Sequence, residues 1–516
     1  MKHARVYAAG MVCFVVFVTQ SLFSGGTGQS IDARTSGIGG TDDNAAFKTL
    51  IDAAADDSVI DFHGITVALD NAVVGKPVHL KNAAIKQMHQ DRPALTINGD
   101  SYREKEVVIS DITTLSPTTP YTPKSTPRET GVIIVLSGDN TITLNNVKVP
   151  DAPKQGIYIK LSGANAVLIM SNCEVIGSGA YQRAKLSAPV DANTPVIPLA
   201  EIPSQFVVWT AENPVNPRIW FGDARYKIES IDYDKKTITF PSDTGVRKPE
   251  NGVNQSKISG APVAMSKDPY NGVYIEGSGK AFTVIGGNYS SNSHFGIFNR
   301  ATAKTLYANV IANENNYIGL GNSDKPNGLI ASNCTTDGNI NNGIDINRGR
   351  DITVQYHTAR YNGVDGIFIG WGVGAKIQDN TAMSNFRIGI LLNGAGKGST
   401  GLRGAVVAKN RCTDNAMAGL ICTTVYDSTI QSNTFLRNPY GIKIDGTMNF
   451  SNSSGCVLTR NLYAGNSKRD IYINARNYIP GTPHGVFSIL DEKFENGAKP
   501  NIETYMNDAS VVKLGK

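Results

Sequence analysis

The sequence is poor in residues that staple or anchor a chain. It has six cysteines in 516 residues: Cys13 in an apolar N-terminal run, then Cys173, Cys334, Cys412, Cys422 and Cys456. Five irregularly spaced cysteines make neither a disulfide framework nor a zinc pattern, and they read as small buried hydrophobes. Charge of one sign is also scarce. The 49 basic and 44 acidic residues leave a formal net charge of +5. No Lys/Arg run and no RNA-binding signature occurs, which argues against a nucleic-acid partner. An acidic polymer is compatible with the balance without being required by it. Beyond the N-terminal segment no apolar run is long enough to cross a bilayer. Also missing are a His–Glu zinc arrangement, a nucleophile elbow and a phosphate loop, so neither a metal nor a cofactor is expected.

What is present is a repeat. From Gly272 to Asn474 short strands recur, most of them opening on glycine: GVYIE at 272, GIFNR at 296, GLGNS at 319, GIDIN at 343, GIFIG at 366, GILLN at 389, GLICT at 419, GIKID at 441 and DIYIN at 470. Most steps are 22 to 24 residues, and two are longer. Four residues before most of these starts stands Asn292, Asn315, Asn339, Asn362, Asn385, Asn415 or Asn466, with Asn438 displaced by one. A second series, Asn288, Asn333, Asn380, Asn410, Asn433 and Asn461, runs about nine residues ahead of the strands. One short strand per fixed period with polar corners is the mark of a solenoid. Stacked coils bring equivalent residues to about 4.8 Å, so corner asparagines can bond up and down the stack. They also tolerate the left-handed backbone of a tight corner.

Within each strand, side chains alternate. Val273/Ile275, Ile344/Ile346, Ile367/Ile369, Ile390/Leu392 and Ile442/Ile444 are expected inside, interrupted only where Asn299 and Asn322 stack on adjacent turns. Tyr274/Glu276, Phe298/Arg300, Asp345/Asn347, Phe368/Gly370 and Lys443/Asp445 are expected outside. The variety of the outer set makes it the place to look for chemistry.

The remaining chain divides around the repeat. Met1 to Arg5 is basic, Val6 to Phe23 mostly apolar, and Ser24-Gly25-Gly26 small, the pattern of a cleaved export signal (1–26) and of a periplasmic or secreted protein. Residues 35–177 hold less regular coils. Between 178 and 262 the period fails, and alternating segments around Asp232-Tyr233-Asp234-Lys235-Lys236 predict an inserted antiparallel β subdomain, with Trp209, Trp220 and Phe221 as its own core or as a groove wall. Regular coils fill 263–480, and 481–516 reads as a C-terminal cap. Near the start, Thr41 or an Asp can cap a helix whose Phe47, Leu50, Ile51 and Ala54 form one apolar face over the open first coil.

The string GTDDNAAFKTLIDAA from Gly40, followed by a strand and Phe62-His63-Gly64, resembles the entry to the pectate-lyase-like, right-handed parallel β-helix superfamily, which includes polysaccharide lyases, glycoside hydrolases, epimerases and phage tailspikes. The resemblance implies an all-β, right-handed parallel β-helix with an N-terminal helix cap and work on polysaccharide. It supplies no catalytic motif: the Asn-Thr-Asp, Asp-Asp, Gly-His-Gly and Arg-Ile-Lys set of polygalacturonases and the Asp-Pro-His-Asp of alginate epimerases are absent.

The richest polar patch is NNGIDINRGRD at 341–351 with VDGIFIGWG at 364–372 on the next coil. Asp345 points out, and Asp365 sits at the following corner, with their Cα atoms about 11 Å apart by coil geometry. Two carboxylates so placed suit the acid and base of an inverting glycosidase. Arg348, Arg350 and, two coils further back, Arg300 suit an acidic sugar, and Trp371, Phe298 and Tyr274 suit stacking on sugar rings. Glu276 and Asp445 belong to other subsites. His357 stands where the second series has asparagine and reads as ladder filler, and His294 as a loop residue. The expected function is an exported enzyme on an extracellular, acidic polysaccharide, hydrolase ahead of lyase. The alternatives are a non-catalytic carbohydrate-binding, exopolysaccharide-biosynthesis or surface protein, or a uronate epimerase. No residue pattern specifies an oligomeric state.

Overall fold

The computed structural model describes residues 29–116, 131–179, 182–190, 195–203, 218–221, 224–240, 262–266, 270–323, 326, 328–394, 401–445, 453, 455–474, 487–494, 501–505 and 512–514. The expected export signal, Trp209 and the side chains of Trp220, Phe221 and Asp445 lie outside them.

The chain winds as a right-handed parallel β-helix. Its inward residues pair rung by rung: Ile133 with Ile157, Ile157 with Val273, then Ile297, Leu320, Ile344, Ile367, Ile390, Leu420, Ile442, Ile471 and Ile502. From Val273 to Ile473 these side chains are sealed from solvent, so alternation built an apolar interior, interrupted as expected where the buried Asn299 and Asn322 stack on adjacent turns. In the regular half each coil has a first face (Ile344–Ile346, for example), a second (Thr353–Gln355) and a third (Thr358–Arg360). The stack does not end in the repeat. Ile502–Tyr505 pairs in parallel with Arg469–Asn474, and Val512–Leu514 with Phe487–Leu490, so strands of a further coil occupy the segment expected to be a cap.

Helix α1 (Asn44–Ala53) covers the N-terminal end with Phe47, Leu50 and Ile51 buried and Phe47 stacked on Phe62. Asp43 is its N-cap residue, but the carboxylate serves other donors: the backbone N–H groups of Gly39, Gly40 and Ala68. It ties the helix to the first coil instead of capping it.

Ile157 and Val273 are neighbours across a rung although 116 residues apart in sequence, so the insertion buds from between consecutive coils. Its described strands form two antiparallel sheets, one joining Gln182–Lys185, Pro262–Ser266, Arg218–Phe221 and Ala224–Lys227, the other Val196–Pro198, Thr237–Thr239 and Ser230–Asp232. The subdomain has its own apolar core, which includes Leu186, Ile219 and Val263, and Phe386 of the solenoid packs against it.

The asparagine corner is continuous. Backbone N–H groups of Asn292, Asn315, Asn339, Asn362, Asn385, Asn415 and Asn438 each donate to the side-chain oxygen of the next asparagine, ending at Asn466. The second series is shorter than expected. Asn380, Asn410, Asn433 and Asn461 form a buried ladder that ends on the Glu492 carboxylate. By register the same column passes through His357, Cys334 and Val310, while Asn333 sits one residue off it, at a left-handed corner with φ 53°. The column is thus apolar in its first part and amide-lined in its second, with His357 at the junction.

Candidate functional site

Asp345 projects from the strand Ile344–Ile346, whose two isoleucines face the core. Its rung neighbours on the first face are Gly321 before and Phe368 after. The Phe295 ring fills the space left by Gly321, where a side-chain carbon would lie 2.3 Å from Phe295 Cε1, and stacks on Phe298 at 4.2 Å. Asp345 is therefore half-buried between aromatic surfaces. Its Oδ2 accepts from Asn342 Nδ2 at 2.9 Å, and its Oδ1 from Asn347 Nδ2. Burial pushes this carboxyl up to about 7. The Asn342 bond opposes that rise, Asp365 adds to it, and Arg387 and Asn347 oppose it.

Asp365 is not where the sequence placed it. The expected solvent-facing corner carboxylate is fully buried and paired with Arg387, which is itself 16 % exposed. Arg387 Nε donates to Oδ1 at 2.8 Å and Nη2 to Oδ2, a two-pronged pair across adjacent coils. Asn342 links the two acids, because its Oδ1 accepts the Asp365 N–H at 3.1 Å while its amide donates to Asp345. The outward side of the strand start is closed here by the neighbouring coil's arginine, which alternation within one strand does not reveal.

The remaining expected residues fall into two groups. Arg348, exposed and at a left-handed φ of 57°, lays its guanidinium 4.5 Å from the centroid of Trp371, so the arginine covers a face of the expected stacking residue. Tyr274 is only 4 % exposed and is no open platform. It lies in an aromatic column with Tyr158 (5.9 Å) and Phe298 (5.6 Å). Both tyrosine hydroxyls donate to Glu276, Tyr158 at 2.7 Å and Tyr274 at 2.9 Å, and Arg300 Nη1 donates to the Tyr274 oxygen. Glu276, Tyr274, Phe298 and Arg300 thus form one cluster, and from Phe298 to Asp345 the column runs two rungs, about 10 Å.

His357 is sealed inside the solenoid, its Nε2 2.8 Å from Thr336 Oγ1, and burial pushes the imidazole down to about 3. His294 stacks on Tyr317 at the insertion side. Sequence reasoning missed Arg387 and Tyr158, and had Asn342 and Asn347 in the polar patch without giving them a role. Aligning the repeats on their glycines offers one signal: Asp365 is one residue before Gly366 and Arg387 two before Gly389, opposite charges at nearly matching corners.

A family model described as "Periplasmic copper-binding protein (NosD)" matches residues 251–481, under half of the chain. No curated protein matches. Among solved structures, the A-module of the Azotobacter vinelandii mannuronan C-5 epimerase AlgE4 is 12 % identical, with 94 % of this chain and 99 % of that one covered and a TM-score of 0.41. PfbA, a surface adhesin of Streptococcus pneumoniae, is 10 % identical over 93 % and 96 % at 0.43. The catalytic unit of a GH87 α-1,3-glucanase from Streptomyces thermodiastaticus is 12 % identical over 93 % and 70 % at 0.42. None of these likenesses carries over a residue or an activity.

The matched family's description names copper, and the described cysteines are poor ligands for it. Among the described residues no three His, Cys, Asp or Glu side chains gather to hold a metal ion. Cys334 and Cys456 are buried with thiols pushed up to about 12, and burial also raises Cys412 and Cys422. A thiol ligates as thiolate, which these sites disfavour.

Proposed function

We propose that this right-handed parallel β-helix protein is an exported, polysaccharide-active enzyme that uses Asp345 on the first face as its acid–base group and cleaves a glycosidic bond by hydrolysis. One observation carries the reading: a half-buried carboxyl, held by two amides among aromatic rings, that keeps its proton up to about neutral pH. A general acid works best when it titrates near the working pH, and burial beside another carboxylate moves a carboxyl into that range. Arg348 on one side of Asp345 and Arg300 on the other would offer an acidic glycan cationic contacts. The basic-then-apolar N-terminal sequence and the matched family's periplasmic description support an exported location.

The burial of Asp365 favours a second reading. A two-carboxylate hydrolase needs another accessible carboxylate to activate water, whereas proton removal from a uronate needs one base. Water then supplies the proton to the leaving oxygen in β-elimination or to the opposite face of the carbon in epimerisation. Incubation with a panel of acidic and neutral polysaccharides separates the readings. New reducing ends without an unsaturated product support hydrolysis, and ultraviolet absorbance of an unsaturated uronate supports elimination. Unchanged chain length with altered uronate stereochemistry supports epimerisation. Binding without any of these rejects the enzymatic reading.

A further inference from the structure

We propose that Arg387 is a positioning residue that sets when Asp345 releases its proton, and that the inserted subdomain holds Arg387 in place through Phe386. The proposal rests on reading Asp345 as the acid–base group. Arg387 grips Asp365 with both prongs of its guanidinium, and Asp365 is fully buried. A buried carboxylate keeps its charge only while so paired, since unpaired it would have to take up a proton. Asn342 ties this pair to Asp345, its amide donating to the Asp345 carboxylate at 2.9 Å while its oxygen accepts the Asp365 N–H at 3.1 Å, so a negative and a positive charge are fixed beside Asp345 and both act on it. Asp365 holds the Asp345 proton on, and Arg387 works against it.

Arg387 is in turn fixed by its neighbours. Phe386, the preceding residue, packs against the apolar core of the inserted subdomain. The backbone is pinned on both sides, with the Phe386 N–H on the Asn362 carbonyl at 2.8 Å and the Arg387 carbonyl accepting from Met417 N–H at 2.7 Å. Movement of the subdomain at Phe386 thus reaches Asp345 through one side chain and one ion pair.

The test is a carboxyl-carbon NMR titration of the full-length protein labelled at aspartate, with Asp345→Asn identifying the resonance, run beside the pH profile of turnover. Arg387→Lys, which keeps the charge but loses the planar fork that grips Asp365, weakens the negative charge that holds the Asp345 proton on and lowers the Asp345 midpoint by about half a pH unit or more. Phe386→Ala shifts it in the same direction, and Phe386→Leu restores it. The double change Arg387→Met with Asp365→Asn removes both charges without stranding either, and lowers the midpoint because Asp365 acts on Asp345 more strongly than Arg387. An unmoved midpoint in Arg387→Lys and in the double variant overturns the role of Arg387. An unmoved midpoint in Phe386→Ala alone overturns the link to the subdomain. If the midpoints move as stated while no polysaccharide is turned over, the enzymatic reading fails and the electrostatic assignment stands.

Discussion

Gly370 leaves the space that Asn347 fills: a side-chain carbon at position 370 would fall 2.5 Å from Asn347 Oδ1, on the amide whose nitrogen donates to Asp345. Gly370→Ala therefore pushes the amide aside and removes one of the two donors to Asp345. The clash is with the movable end of a side chain, so the expected stability loss is under about 1 kcal/mol. Turnover is expected to fall about tenfold. Wild-type turnover in a folded Gly370→Ala protein would show that Asn347 does not support Asp345.

Asp345 itself links activity to stability. Its carboxyl titrates at about 7 in the fold against 3.8 ordinarily. Between those values the folded chain keeps a proton that the unfolded chain has lost, so stability falls as pH rises through that window and is level above it. Asp345→Asn removes the slope. The variant is expected to melt above wild type at about pH 8 and level with it at about pH 4, while turnover drops by roughly two orders of magnitude or more. Parallel melting curves of the two proteins across that range would refute the burial of this carboxyl.

His357 predicts the opposite slope. Burial holds its imidazole neutral down to about 3, against 6.5 ordinarily. Below 6.5 the unfolded chain gains a proton that the folded chain refuses, so stability is lost as pH falls through that window, by about 2 kcal/mol at about pH 5. His357→Asn places an amide directly before Asn380 in the ladder, where the His357 N–H already donates to the Asn380 oxygen. The variant is expected to match or exceed wild type near neutrality and to be clearly more stable at about pH 5 in calorimetry.

Asn385 tests the first ladder. Its oxygen accepts from both nitrogens of Asn362, and its amide donates to Ala359 O and Asn415 Oδ1. Asn385→Ala removes these bonds from the Asn362 N–H and the Ala359 carbonyl, while Asn415 Oδ1 keeps the backbone N–H of residue 385 and Asn362 Nδ2 keeps the Thr336 carbonyl, so the expected cost is about 1–2 kcal/mol by denaturant unfolding. A midpoint equal to wild type would mean that these corner bonds add nothing to stability.

The architecture was legible because each coil repeats one local rule. Alternation decides which of Ile344, Asp345 and Ile346 faces the core, and the recurring asparagines decide where the chain turns. Neither depends on distant residues, so periodicity displays both, and the Asn292–Asn466 ladder followed from spacing alone. The second ladder was misjudged where spacing was loose: Asn333 is one residue from the position that Cys334 takes, and a one-residue offset moves a side chain from the core to a corner.

The sequence alone determined the direction of Asp345, because period 2 in a strand leaves it no other face. Only the tertiary structure decided what that direction means. Tyr274 shares the outward side of the first face and is buried by Tyr158 and Phe298 above and below it. Asp365, read as open, is closed by Arg387 from the next coil, and the burial that raises the Asp345 carboxyl involves rings and charges from coils other than its own. Desolvation and charge pairing act through space over a few ångströms, and one coil separates those partners by more than twenty residues of sequence.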